Sequence, residues 1–263
     1  MTTAVAEPLA PTDPSIDPEV FPWSALGSDV VFVDLETSGG TNEVTRVIEF
    51  GAVRVRTTGE IERISSLIDP EGPITTTFVH GLEPADLEGA PTFAALWPRL
   101  VPWFKDTLII AHKADFERSN LGRELERLGG RFGARMLCTL KVARRLHPER
   151  TGKGAHSLAG LQELYGLTPS GHEALADAES LAVLFTQWCR SEETLSQVVA
   201  EGIEPADQPW QWPEVSGAGA LPMPREAPEV PPRSWGIWIR AALVILALLV
   251  LQALAWSLST RVP

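Results

Sequence analysis

Residues Val30–Thr37 read Val-Val-Phe-Val-Asp-Leu-Glu-Thr. Four apolar residues in a row, three of them β-branched, suit a strand covered on both faces, as in the middle of an α/β sheet. The run passes straight into Asp34 and Glu36. Side chains two apart along a strand point to the same side, so the two carboxylates leave the strand end together. They repel one another, and burying them is costly unless something positive compensates. A divalent cation is the usual compensation. A polar strand end turning into a loop would carry the same residues, and the rest of the chain has to separate the two readings.

The formal net charge of the 263 residues is −12. That excludes a protein that coats nucleic acid through a global basic field, but not one that takes a strand end into a small cleft. Cys138 and Cys189 are the only cysteines, without C-x-x-C or zinc spacing, and read as reduced core thiols. The ends of the chain differ from its middle. Residues 1–23 are rich in Ala, Thr and Pro, with no basic segment leading into an apolar one, and read as a disordered leader. Residues 201–234 read as a Pro-rich linker.

Residues 235–259 read as a transmembrane helix. No charge falls between Ala241 and Leu258, a stretch long enough to cross a bilayer core. Trp235, Trp238 and Trp256 lie near the ends of the segment, where an aromatic belt belongs. Arg225, Arg233 and Arg240 precede it and only Arg261 follows. The positive-inside rule then gives a single-pass C-terminal anchor in the lipid bilayer, with the preceding domain in the cytoplasm.

Residues 24–200 have the size and pattern of one α/β domain. After the opening strand, Val47–Arg56 ends in alternating apolar and basic residues, Thr58-Gly59-Glu60 reads as a hairpin turn, and Ile61–Ile68 reads as a third strand. Helical patterning covers Thr92–Phe104 and Ala114–Leu128, the second stopped by Gly129-Gly130. Short buried strands are predicted at Thr107–Ala111 and Arg135–Leu137, and helices at Leu140–Leu146, Ser157–Tyr165 and Glu173–Arg190.

Two of those helices aim an acid inward. Asp177 stands four, seven and eleven residues before Leu181, Leu184 and Trp188, at the head of the apolar stripe. Glu117 stands four and eleven residues before Leu121 and Leu128. Asp115 aligns instead with Arg118, Gly122 and Glu126 on the polar face.

At this point the chain resembles a known family. Val33-Asp34-Leu35-Glu36-Thr37, Ile48-Glu49-Phe50-Gly51-Ala52 and His80-Gly81-Leu82 look like the first segment of the DEDDh, or DnaQ-like, exonucleases. The proofreading epsilon subunit of bacterial DNA polymerase III belongs to that family. Ala111-His112-Lys113-Ala114-Asp115-Phe116-Glu117 resembles the second segment, A-H-N-A-x-F-D. His172-Glu173-Ala174-Leu175-Ala176-Asp177-Ala178 matches the third, H-x-A-L-x-D-A. The resemblance covers about residues 28–190.

It implies a ribonuclease-H-like mixed sheet flanked by helices. It also implies two Mg²⁺ or Mn²⁺ ions and release of nucleotides from the 3′ end of single-stranded or 3′-ended DNA or RNA. On the same analogy Asp34, Glu36, Glu117 and Asp177 hold the metals and His172 is the general base. Leu35, Thr37, His112 and Phe116 would lie against the substrate. Two residues depart from the pattern: the family's Asp is Glu117 here and its Asn is Lys113. The expected function is a membrane-tethered 3′→5′ exonuclease. The alternative is a catalytically weak nucleic-acid-binding or scaffold module that keeps the fold.

Overall fold

The structure, a computed structural model, describes residues 23–39, 44–204, 206 and 209–213. All of them fall in the compact unit that spans Met1–Ala218. Six strands form one mixed sheet in the order β3-β2-β1-β4-β5-β6. These are β1 (Val30–Thr37), β2 (Val47–Val55), β3 (Ile61–Leu67), β4 (Leu108–Ala111), β5 (Met136–Cys138) and β6 (Ile203–Glu204). β1 pairs antiparallel with β2 and parallel with β4. The helices are α1 (Thr77–His80), α2 (Phe93–Phe104), α3 (Asp115–Arg127), α4 (Thr139–Leu146), α5 (Leu158–Leu164), α6 (Ala174–Trp188) and α7 (Glu192–Gly202).

Alternation along β1 sorts its side chains between two apolar layers. Val30 and Phe32 pack with Leu181, Leu184 and Phe185 of α6. Val31, Val33 and Leu35 pack with Trp97 and Phe104 of α2 and Leu121 of α3. The period of two therefore sends Asp34 and Glu36 to the α6 side. β2 continues that side: Asp34 is opposite Gly51 and Glu36 is opposite Glu49. Gly51 is needed for close approach, because a Cβ there would lie 2.1 Å from the Ala174 carbonyl carbon. Without a side chain at Gly51, the first turn of α6 sits directly on β2.

The domain reaches further at both ends than its sequence pattern indicates. Trp23, assigned above to the leader, is buried and meets Phe32 edge-on at 6.4 Å. The linker placed at 201–234 gives its first residues to the domain. Ile203–Glu204 pairs antiparallel with β5. Glu204 takes ion pairs from Lys141 at 2.6 Å and Arg118 at 3.5 Å. Gln211 bridges to Arg131, and Trp210 and Trp212 stack on each other at 4.5 Å. Trp212 also stacks on Trp97 at 5.9 Å. Helix α7 had no counterpart in the sequence reading. The expected transmembrane helix at 235–259 lies outside the described residues. Among those described, no helix is long and apolar enough to cross a membrane.

Candidate active site

Asp34 is the centre of an acidic cluster. Burial and the charges of Asp177, Glu117, Glu36 and Glu49 all push its carboxyl well above the ordinary carboxylate range. The neighbours come from β1, β2, α3 and α6, so only the folded sheet assembles them. Electrostatic repulsion of this kind is what a multivalent cation relieves.

One corner of the cluster is tightly gathered. Ligand-type atoms of Glu36, His172 and Asp177 all lie within 4.8 Å of one another. His172 Nδ1 is 3.9 Å from a Glu36 oxygen, and the imidazole is mostly exposed. His172 holds a left-handed backbone, φ 61°, two residues before α6 begins. Asp177 is buried, and its Oδ1 accepts a hydrogen bond from the Ser170 hydroxyl and another from Gln162 Nε2 at 3.5 Å. Burial raises the Asp177 carboxyl, while Ser170, His172 and Gln162 pull it part of the way back.

Glu117 joins the cluster from α3. It is buried on the first turn of α3, and its Oε2 has no hydrogen-bond partner. Burial pushes its carboxyl well up. Its own backbone N–H and the charge of Lys113 oppose this, while Glu36 and Asp115 add to it. An unpartnered buried carboxylate oxygen facing other carboxylates is the donor a hard cation takes. The four acids therefore fit divalent metal. Asp115, on the polar face as the spacing predicts, is exposed.

The residues expected against the substrate are placed less uniformly. Leu35 is 3% exposed and belongs to the α2–α3 core layer. Thr37 is buried and donates to Gly39 O at 2.9 Å. Both ring nitrogens of His112 are engaged, with Thr139 Oγ1 at 3.1 Å and His156 O at 2.9 Å. Phe116 is half-buried, with Lys113 Nζ 6.0 Å from its ring centre.

Three further residues serve the site and were not singled out from the sequence. Ser170 and Gln162 hold Asp177. Glu49 is opposite Glu36, and its Oε2 accepts from Ala174 N at 3.4 Å, at the start of α6. Glu49 lay inside a recognised segment, but its role needs the β1–β2 register. Ser170 and Gln162 carry no pattern that points to them.

The family description "Exonuclease", of the RNase T type, matches residues 31–185. The chain belongs to the DnaQ-like exonuclease family. A DNA polymerase III subunit epsilon from Aquifex aeolicus is 30% identical over 164 residues, covering 61% of this chain and 80% of the relative. A PolC-type DNA polymerase III from Caldanaerobacter subterraneus subsp. tengcongensis is 26% identical over 164 residues. That match covers 62% of this chain, which spans only 12% of the relative's length. Among solved structures, Escherichia coli Exonuclease I in complex with a dT13 oligonucleotide superposes with a TM-score of 0.55 at 17% identity. The superposition covers 66% of this chain and 43% of that one. It extends the likeness to the fold.

Proposed function

We propose that the protein is a metal-dependent 3′→5′ exonuclease that releases nucleotides from DNA or RNA ends and is held at the membrane by its C-terminal segment. The observation that carries the catalytic reading is the convergence of Glu36, Glu117 and Asp177 on Asp34, with His172 beside Glu36. Asp34 and Glu36, with Asp177, would hold one Mg²⁺ or Mn²⁺, and Asp34 with Glu117 a second. When bound, the pair supplies Lewis-acid activation of the attacking water and charge stabilisation of the leaving 3′ oxygen. The protein's own groups do the rest. His172, exposed at the cluster, takes the proton of the attacking water as general base. Ser170 and Gln162 fix Asp177, so one carboxylate is oriented before any ligand arrives. Phe116 and Thr37 border the terminal nucleotide.

The membrane part rests on the sequence alone: an uncharged stretch from Ala241 to Leu258, flanked by tryptophans and preceded by arginines.

The test uses the purified full-length chain, in neutral detergent, with 5′-labelled single-stranded DNA and RNA under Mg²⁺, Mn²⁺ or EDTA. The expected result is a ladder shortening from the 3′ end that EDTA and Asp34→Ala both abolish. Shortening that survives either change rules out this mechanism. Absence of shortening under every metal supports the scaffold alternative, in which the Asp-to-Glu change at Glu117 has cost the second metal. For the anchor, cell fractionation should find the chain with membranes and a version lacking residues 236–263 in the soluble fraction. A full-length chain already in the soluble fraction contradicts it.

A further inference from the structure

The segment that follows β5 is basic. In a chain of net charge −12, residues 139–157 carry Lys141, Arg144, Arg145, Arg150 and Lys153 against one acid, Glu149. They span α4 and the loop to α5. Several bonds hold that loop in shape. Arg150 Nε donates to Ala155 O at 2.9 Å, and His156 Nε2 bonds to His147 O at 2.9 Å. Gly152 and Gly154 both have positive φ, 99° and 81°, a turn that glycine makes without steric cost. Lys153 stands between them, at the tip of the loop.

The base of the loop is fastened to the catalytic end of the sheet. His112, the residue after β4, bonds to His156 O and to Thr139 Oγ1. The Thr139 hydroxyl also lies 3.2 Å from Ala111 O. Burial, with the charge of nearby Arg144 added to it, lowers the His112 imidazole to about 4. The ring is therefore a neutral strut, and Arg144 is within electrostatic reach of it. The next residue is Lys113, left-handed at φ 64°, whose charge reaches Glu117. Lys113, Arg144 and Lys153 are all exposed, and none has an ion pair among the described residues. Lys141 and Arg150, by contrast, are engaged with Glu204 and with backbone carbonyls.

We propose that Arg144 and Lys153, together with Lys113, bind the phosphodiester backbone of a single strand upstream of the nucleotide in the active site. The inference rests on the reading of that site as a nuclease centre. A strand approaching a chain of net charge −12 is repelled by the whole and needs a local cationic path. The exposed cations supply that path. Phosphate contacts carry no base information, so these cations position the strand without selecting its sequence.

The measurement is binding of 5′-labelled dT12 to the full-length chain in neutral detergent and EDTA, between 50 and 200 mM salt. EDTA keeps hydrolysis from running. Losing two phosphate contacts lowers the single-strand salt slope by about 1.4. The advantage of the unaltered chain over Arg144→Ala/Lys153→Ala should therefore shrink about sevenfold across that range. The charge-conserving pair Arg144→Lys/Lys153→Arg should keep the original slope. With Mg²⁺, the alanine pair should lower kcat/KM more for dT12 than for dT2. An unchanged salt slope, or equal losses on dT12 and dT2, overturns the proposal. So does unchanged dT12 binding accompanied by weaker binding to phosphatidylserine vesicles, which would assign the cations to lipid headgroups. Failure of the nuclease reading shows differently, as no shortening by the unaltered chain in Mg²⁺ or Mn²⁺.

Discussion

Asp177 and Glu117 are both acids in the first turn of a helix, both buried, and both directed at Asp34. Their surroundings differ. Asp177 is held by the Ser170 hydroxyl and the Gln162 amide, and it sits with Glu36 and His172 in a tight group. Glu117 has a buried oxygen that nothing in the described protein satisfies. Leaving such an atom unpaired costs about 1–3 kcal/mol, and more for a charged group. One side of the site is thus preorganised by protein hydrogen bonds. The other leaves a carboxylate oxygen without a protein hydrogen bond. The departure from the family pattern falls on the second side, where a longer side chain meets the fewest protein constraints.

The largest effect should come from the residue common to both sides. Asp34→Asn should reduce Mg²⁺-dependent hydrolysis by on the order of a thousandfold or more, the several kcal/mol that two-metal stabilisation contributes. It should also raise the Tm of the metal-free protein, because it removes one of the repelling charges. Calorimetry in EDTA reads the second outcome. An Asp34→Asn protein less stable than its parent would mean that the cluster is not under electrostatic strain.

The pH dependence of the metal-free protein tests the same strain. Asp34, Glu117 and Asp177 are all held above the usual carboxylate range. Unfolded, they return to about 4. The folded state then binds protons more tightly than the unfolded state. Their contribution is fully present below about pH 4 and is lost as pH rises through the raised values. In EDTA, Tm should therefore fall as pH rises above about 4 by more in the parent than in Asp34→Asn. Saturating Mg²⁺ should flatten that difference, since metal binding requires the ionised carboxylates. Equal pH profiles for the two proteins contradict this.

Smaller changes separate the two sides. Ser170→Ala removes a support of Asp177 and should weaken metal affinity or activity about tenfold, the range for lost outer contacts to a metal ligand. Titration with Mn²⁺ followed by turnover distinguishes the two. Glu117→Asp should preserve or raise activity, within about threefold, because that side is shaped by its ligand rather than by protein bonds. A collapse with Glu117→Asp would show that the site is built around the longer acid.

The acidic cluster was legible in the sequence because periodicity speaks directly to sidedness. The i, i+2 spacing of Asp34 and Glu36 and the helical stripes led by Asp177 and Glu117 each predict a direction, and all are inward in the fold. Pairing between distant segments has no such signature. The position of Glu49 depends on an antiparallel register, and Ser170 reaches Asp177 from a loop. Gly51 matters because α6 lands on it, a contact between residues far apart in sequence. The packing of residues 203–213 is hidden in the sequence for another reason. Proline and acid dominate residues 203–213, and they mask the i, i+2 pair Trp210 and Trp212, which stack on each other and lie against Trp97 and Phe104 of α2.

On the proposed mechanism Asp34 would serve two metal ions, one with Glu36 and Asp177 and one with Glu117. Crystals grown with Mn²⁺ and a nucleoside 5′-monophosphate, measured for anomalous scattering at the manganese edge, test it most directly. The account predicts two peaks that share Asp34 as a ligand, the second also bound by Glu117. A single peak at Glu36 and Asp177, with Glu117 turned away or without a cation, would contradict it.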